Sequence, residues 1–173
     1  MKLRSMMGGL AALGLAMSAG TASAESWQTR SFNDMVNESR ACVKATVDEV
    51  RYRTINGATF TETFFNVEGR AFGPARSGRI VVRTEGGKVQ GATIPVVEVG
   101  SSGVRFFEGQ EALLFLDRIG RTKIYTPLNG GQGVLSVRDG MVNLPIADDA
   151  VSVNDALGLI GDLRRQRAKN AAQ

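Results

Sequence analysis

The chain has 173 residues, of which 21 are basic and 17 are acidic, so its formal net charge is +4. Because it contains no histidine, the composition excludes Ser-His-Asp and Cys-His catalysis and His-ligated zinc. Its single cysteine, Cys42, excludes an internal disulfide.

The first 24 residues have the features of a secretory signal peptide. Lys2 and Arg4 precede an uncharged stretch at residues 8–20, and Ala22-Ser23-Ala24 matches the small-x-small pattern that a signal peptidase recognises. The stretch is shorter than the ~20 residues that a membrane-spanning helix needs, which disfavours a membrane anchor. We therefore expect cleavage after Ala24, a periplasmic or extracellular protein, and no membrane span in the mature chain.

The expected mature chain, residues 25–173, is predicted to form one domain with its core over residues 32–163. Removal of two basic residues and no acidic one leaves 19 basic against 17 acidic side chains, so the charge does not indicate a polyanionic partner. A chain of this length can fold without disulfides or metal. We interpret Cys42 as a small apolar residue at the start of a strand, and the alternative is pairing with another chain.

A short helix is predicted at the start of this domain. Ser31 and Asp34 have the spacing of a capping-box variant, and Phe32, Met35 and Val36 fall on one helical face. We expect this helix to plug one end of a barrel.

Two long strands are predicted next. Apolar and polar residues alternate from Ala41 to Ile55, with a slip at Asp48-Glu49 that indicates a β-bulge. Asn56-Gly57 is a hairpin signal, and the return strand is predicted from Ala58 to Phe72 with a second kink at Phe64-Phe65.

A third strand is predicted from Arg79 to Thr84, with its arginines and its isoleucine on opposite faces. Gly86-Gly87 and Gly91 are predicted to flank a loop. Ala92 to Val99 is predicted to be an edge strand, because Pro95 cannot donate to a sheet ladder.

The densest apolar run of the mature chain lies in Phe106 to Leu116, after a turn at Glu108-Gly109-Gln110. Ala112 to Leu116 has the length of a fully buried strand, and we place it at the centre of the fold. Further strands are predicted at Ile124-Tyr125 and Val134–Val137. These elements predict a small β-barrel or rolled sheet.

A second helix is predicted to close the chain. Ser152 and Asp155 form another capping-box variant. The basic residues near its end are interpreted as complementing the helix dipole, and a nucleic-acid or membrane site is the alternative. The apolar stripe of this helix consists of Val153, Leu157, Ile160 and Leu163.

The order of the motifs resembles a group of uncharacterised secreted bacterial domains. The motifs are G-G-x-x-x-G at Gly86–Gly91, the run Val96–Val99, F-x-x-G-x-E-x-L-L-F-L at Phe106–Leu116, and G-x-G-V-L-x-V at Gly131–Val137. The resemblance covers Phe32 to Leu163. It implies a mainly β fold, a small OB-like barrel of about 5–7 strands with a short N-terminal and a C-terminal helix. It transfers no catalytic residue, and the sequence departs from the usual pattern at Cys42 and Arg105.

Candidate catalytic groups are few. Gly86–Gly91 precedes a Pro-containing strand instead of a helix with a Lys and a Ser or Thr, which favours a turn over a phosphate loop. Glu108 and Asp117 stand at opposite ends of the central strand, too far apart for paired-carboxylate hydrolysis, and Glu111 is expected to cap a turn or pair with an arginine. Asp148-Asp149 lacks the spaced oxygens of a calcium loop. We expect no catalytic residue, cofactor or metal.

OB-like barrels often bind ligands on one sheet face through aromatic and basic residues. The sequence favours the simpler interpretation, that the aromatic residues are core and the arginines solvated, and a ligand face is the alternative. We predict a non-enzymatic binding or structural module of the bacterial cell envelope, with an envelope protein or glycan as partner and no nucleic acid. The alternatives are a carboxylate-dependent glycan hydrolase and an inhibitor or chaperone-like partner of a secreted enzyme. The candidate ligand face consists of Tyr52, Phe60, Phe64, Arg79 and Arg83, with Phe65 beside them.

Overall fold

Alternating apolar and polar residues form a nine-stranded sheet in the computed structural model, which describes residues 29–75, 78–88, 97–99 and 103–171. The predicted signal peptide lies outside the described residues, as do Gly91, Pro95 and the start of the predicted edge strand. The strands are β1 Ala41–Ile55, β2 Ala58–Phe72, β3 Gly78–Lys88, β4 Val97–Val99, β5 Glu111–Arg118, β6 Ile124–Pro127, β7 Val134–Arg138, β8 Met141–Val142 and β9 Val151–Ser152. The helices are α1 Phe32–Glu38 and α2 Val153–Asn170, with a 3-10 turn at Gly130–Gly133.

Five strands form a closed ring in the order β1, β2, β3, β6, β5 and back to β1. The β3–β6 pair is parallel, and the other pairs of the ring are antiparallel. From β5 the sheet continues through β7, β8 and β9, while β4 pairs with the end of β3. The prediction of a mainly β, barrel-like fold with a short N-terminal helix and a C-terminal helix is confirmed.

Strand β5 is the centre of the sheet, as predicted. It pairs with β1, β6 and β7, and Ala112 to Leu116 are all fully buried. Ala112, Leu114 and Leu116 contribute to the core inside the ring, whereas Leu113 and Phe115 belong to a second core outside it. The continuous apolar run is therefore required by burial on both faces.

The second core explains where the helices lie. Phe32 of α1 packs edge-on against Phe115, with ring centroids 5.7 Å apart, and Ile160 of α2 is buried in the same cluster. The expectation that α1 plugs an end of the ring is wrong. The helix packs instead on the outward side chains of β5, which it buries. Cys42 is buried in this cluster, and burial raises the pKa of its thiol, which confirms its interpretation as a small core residue.

The predicted hairpin and bulge are confirmed. Strand partners shift between Val47 and Glu49, which leaves Asp48 as the extra residue. Asn56 and Gly57 have φ values of 52° and 82°, as a type I′ turn requires. The predicted kink at Phe64-Phe65 is wrong, because the register of β2 shifts beyond Val67 instead.

Strand β3 extends beyond its predicted end. Gly86 and Gly87 lie within it, with φ values of 84° and 141°, so the predicted loop is wrong at these two residues. Their positive φ values bend a strand that stays paired, since Gly86 to Lys88 pair with Val97 to Val99. This pairing confirms the described end of the predicted edge strand.

Both predicted N-caps are present, with Ser31 accepting from the Asp34 N–H and Ser152 from the Asp155 N–H. On α2 the buried side is centred on Val153, Ala156, Ile160 and Gly161, with the predicted Leu157 and Leu163 only partly buried beside it.

Candidate functional site

Beyond the Asp48 bulge, the sheet formed by β1, β2 and β3 has two distinct faces. Cross-strand partners Arg51, Glu62 and Arg83 share one of them, which we call the outer face. Tyr52 and its partner Thr61 share the other, the inner face, because side chains alternate along a strand.

The structure divides the predicted ligand residues between these faces. Phe60, Phe64, Arg79 and Arg83 lie on the outer face, whereas Tyr52 lies on the inner face. Phe65 is buried in the ring core. The prediction of one common ligand face is therefore wrong for Tyr52. Beyond the bulge, β1 pairs with β2 so that Tyr52 lies opposite Thr61, on the other face from Phe60 and Phe64.

The aromatic rings of the outer face are covered by arginines. The guanidinium groups of Arg51 and Arg79 lie 4.8 and 4.3 Å from the centre of the Phe64 ring. Arg83 lies 5.7 Å from the Phe60 ring. These are cation–π distances, so the half-buried rings already have partners within the chain.

Carboxylates engage the same arginines. Arg79 contacts Asp48 at 2.8 Å and Glu49 at 2.7 Å. The side chain of Glu62, only 8% exposed, contacts Arg83 at 2.6 Å and Arg53 at 2.9 Å. Hydrogen bonds from Arg51 and Arg79 hold the pKa of Glu49 below its ordinary value. The charges of the outer face are thus satisfied internally, which disfavours this face as a site for a polyanion.

The inner face borders a cleft with a volume of about 450 Å³. One wall is formed by the inner face, including Val50, Tyr52 and Thr61, and the other by residues 103–108. We call this space the Tyr52–Phe107 cleft. Its remaining lining residues are Glu85, Gly86, Gly87, Lys88, Gly103, Val104, Arg105, Phe106 and Glu108.

Backbone contacts fix the wall that carries Phe107. The Gly109 N–H donates to the Val47 carbonyl at 2.9 Å, and the Gln110 N–H donates to the Phe107 carbonyl at 3.0 Å. Phe106 is buried against Phe65 with ring centroids 5.0 Å apart. Phe107 is consequently directed outward, and 68% of it is exposed.

Close packing shapes the opposite wall. The Thr61 hydroxyl donates to the Gly86 carbonyl at 2.8 Å. A Cβ atom on Gly87 would lie 2.6 Å from both the Tyr52 ring and the Thr61 hydroxyl, so only glycine fits there. Lys88 Nζ lies 5.7 Å from the centre of the Tyr52 ring, at the mouth of the cleft. The result is an aromatic and aliphatic concavity with charged groups at its rim.

The carboxylates that line the cleft lack the environment typical of a hydrolytic pair. Glu85 and Glu108 line the cleft, but both are exposed, whereas the general acid of glycan hydrolysis is a carboxyl in apolar surroundings. Glu111 contacts Lys44 at 3.1 Å, so its ion-pair partner is a lysine and not the predicted arginine, and Asp117 contacts Arg40 at 3.9 Å.

Metal ligands are sparse in the described part of the chain. No group of three His, Cys, Asp or Glu residues there is arranged to hold a metal ion. Asp148 and Asp149 are exposed in a bend just before β9.

Sequence reasoning did not select Phe107 or the segment around it. The sequence feature that could have indicated an exposed aromatic residue is the pair Phe106-Phe107. Two adjacent aromatic residues cannot both face the core in an extended segment. Tyr52 and Phe107 are far apart in the chain, so local sequence patterns could not show that they border the same cleft.

Comparison with known proteins gives no assignment, since neither a family model nor a curated protein matches the chain. The resemblance to secreted bacterial domains stays a prediction. In the described ranges, no helix combines the length and apolar character needed to cross a bilayer.

Proposed function

We propose that this chain is a non-enzymatic binding module of the bacterial cell envelope and that the Tyr52–Phe107 cleft is its binding site. The observation that carries the proposal is the exposure of Phe107, whose backbone is hydrogen-bonded in place beside a concavity of about 450 Å³. Ligand sites commonly have this size and combine an apolar lining with a few polar groups. The signal-peptide pattern supports the envelope as the compartment.

The ligand is an envelope protein or glycan. Aromatic rings at the mouth of a cleft can bury the apolar side chains of a protein or the apolar faces of a sugar. The neutralised outer face disfavours nucleic acid, since binding of that polymer depends on unpaired basic groups. A secreted enzyme that is inhibited or chaperoned by this chain would be one protein ligand of this kind.

The test is binding of the purified chain to an isolated envelope fraction, measured by co-sedimentation. We expect Phe107→Ala to weaken binding about tenfold, the effect of removing an aromatic anchor from an interface. Ile146→Ala is the matched control, because Ile146 is 51% exposed and lies outside the cleft. Protease treatment or glycan digestion of the fraction distinguishes the two ligand classes. Equal binding of all three chains would overturn the proposal.

A glycan hydrolase remains the second candidate because two carboxylates, Glu85 and Glu108, line the cleft. Incubation with peptidoglycan and an assay for reducing ends tests it. We expect no release by the unaltered chain. Release that is abolished by Glu108→Gln would establish the hydrolase instead.

A further inference from the structure

Basic side chains cluster at one end of the ring, where β1 begins and where β2 and β5 end. We call this surface the basic pole. All of its members are exposed, and they come from three strand ends and the turn between β5 and β6. They are Arg40, Arg70, Arg118, Arg121 and Lys123.

Backbone contacts bring the three strand ends together. The Arg40 N–H donates to the Leu116 carbonyl at 2.7 Å, and the Arg40 guanidinium lies 3.9 Å from the Asp117 carboxylate. On the side of β2, a Cβ atom on Gly73 would overlap the Arg40 carbonyl oxygen, so the two backbones touch. The guanidinium of Arg70 donates to the Gly73 carbonyl at 2.9 Å. The cations of β1, β2 and β5 therefore share one surface.

The turn between β5 and β6 is fixed by its own hydrogen bonds. The Arg118 guanidinium donates to the carbonyls of Arg121, at 3.0 Å, and Thr122. The Thr122 hydroxyl donates to the Ile119 carbonyl at 2.6 Å. Arg121 and Lys123 thus extend from an ordered turn, and their positions cost little further backbone entropy when a ligand binds.

Carboxylates are scarce at the basic pole, in contrast to the outer face. Arg121 and Lys123 form no ion pair with any described residue, and the guanidinium groups of Arg70 and Arg118 donate to backbone carbonyls. Asp117 is the carboxylate that the described structure pairs with this surface. Five cations and one carboxylate give the pole a net charge of +4. The predicted mature chain has only two more basic than acidic residues, so the rest of it is net acidic.

The basic pole and the Tyr52–Phe107 cleft lie at opposite ends of β5. Phe107 is just before the first residue of this strand, and Arg118 is its last. Eight residues of extended chain span about 25 Å. A ligand of the pole therefore leaves the cleft accessible.

We infer that the basic pole binds the anionic headgroups of a phospholipid membrane. Clusters of about 4–8 Lys and Arg residues are typical of proteins that attach to acidic lipids, and each cation near the surface strengthens attachment about fivefold. The cations of the pole come from separate strands, so they form a surface that matches headgroups distributed over a plane. The net acidic remainder of the chain directs this pole, and not the cleft, toward the membrane.

Nucleic acid is the other polyanion that exposed cations attract. Proteins that bind single strands stack the bases on aromatic rings. The pole has no aromatic member, and Phe107, the exposed aromatic residue of the described chain, lies at the far end of β5. The predicted export of the chain also separates it from nucleic acid. These observations favour phospholipid.

The test is co-sedimentation of the purified chain with vesicles of phosphatidylglycerol and phosphatidylcholine in equal parts. Vesicles of phosphatidylcholine alone are the reference, and we expect binding to the anionic vesicles only. Binding should be lost in about 1 M NaCl, where the Debye length is about 3 Å. Equal binding to the neutral vesicles, or no binding to the anionic ones, would overturn the inference.

Charge-removing variants test the residues. We expect Lys123→Gln to weaken vesicle binding about fivefold, and Arg121→Gln together with Lys123→Gln about thirtyfold. Arg138→Gln is the matched control, because it removes one exposed cation beyond Ser136, which pairs with Ala112 at the opposite end of β5. It should bind like the unaltered chain. Equal weakening by Lys123→Gln and Arg138→Gln would show that net charge alone governs binding and would overturn the inference.

The inference is independent of the proposed function, and the two can fail separately. Phe107→Ala should bind anionic vesicles like the unaltered chain, and loss of vesicle binding would place the cleft at the membrane and contradict the basic pole. Vesicle binding that depends on Lys123 would support the pole even if binding to the envelope fraction did not depend on Phe107. A DNA duplex that binds more tightly than the vesicles, with the same dependence on Lys123, would assign the pole to nucleic acid instead.

Discussion

Thr61 and Thr63 lie on the same face of β2, but their hydroxyl groups have different surroundings. Thr61 donates to the Gly86 carbonyl, whereas the Thr63 hydroxyl is buried and has no hydrogen-bond partner. Replacing Thr63 by Val keeps the shape and removes an unsatisfied polar group, so we expect stabilisation by about 1 kcal/mol. Urea unfolding of the purified variant measures this change.

Thr61→Val is the matched control for this prediction. It removes a hydrogen bond that is made, and we expect destabilisation by about 1 kcal/mol. If both valine variants lower stability equally, the hydroxyl of Thr63 has a partner in solution and the prediction is wrong.

Lys44 connects two strands through carboxylates on both sides. Its side chain is 16% exposed and forms ion pairs with Glu68 and Glu111. The hydrogen bond with Glu68 raises the pKa of Lys44, and the same bond, with a second from Thr46, lowers the pKa of Glu68. Stability from a carboxylate with a lowered pKa is present above its ordinary value of 4.5 and is lost as the pH falls through the folded value.

We therefore expect Glu68→Gln to reduce the free energy of unfolding by up to about 1 kcal/mol at pH 7. The difference from the unaltered chain should disappear as the pH falls below 4.5. Denaturant titrations at a series of pH values measure it. A difference that persists at pH 2 would mean that lost packing, and not charge, is the cause.

At the scale of elements, α1 depends on α2. This helix has only 7 residues and would be marginal alone. Arg164 of α2 donates to the carbonyls of Val36 and Asn37 at its C-terminal end, and its guanidinium lies 5.0 Å from the Phe72 ring. These bonds satisfy carbonyls that a helix end leaves without partners.

We expect Arg164→Met to destabilise the protein by about 1–3 kcal/mol, because two carbonyls lose their charged donor. Arg165→Met is the control, since Arg165 pairs only with the exposed Asp162 in the described structure, and it should cost less than about 0.5 kcal/mol. Thermal unfolding followed by circular dichroism compares them. Equal effects would show that Arg164 does not hold α1.

Local sequence signals predicted the elements well where one strong pattern dominates. The bounds of β1 and β2 follow from alternation and from the Asn56-Gly57 turn. The strands β8 and β9 were not predicted, because two residues each are too few to show a period. Gly86-Gly87 was misassigned to a loop because glycine pairs mark turns more often than bent strands.

At the scale of the whole molecule, the strand order could not be predicted from local patterns. The parallel β3–β6 pair and the β1–β5 pair join segments that are distant in the chain. The cleft has the same origin, since Tyr52 and Phe107 line one space only after the ring forms. Periodicity indicates which residues are buried, but it does not indicate which strands become neighbours.

Hydrogen exchange should reveal unequal protection around the ring. The β1–β5 pair extends over Ala41 to Thr46 and lies between both cores, whereas β3 and β6 pair only at Val81 and Val82. We expect the slowest amide exchange in β5 and the paired half of β1, and faster exchange in β6. Mass spectrometry of deuterated fragments measures this order, and slower exchange in β6 than in β5 would contradict it.

Closure of the ring by distant pairs also affects biosynthesis. A chain that emerges with its N-terminus first completes the β1–β2 hairpin long before β5 and β6 exist to close over its apolar side. Until residue 127 has emerged, that side remains open to other unfolded chains, and aggregation competes with folding. The yield of folded protein should therefore rise when holdase chaperones are abundant and fall when emergence of the chain is slowed.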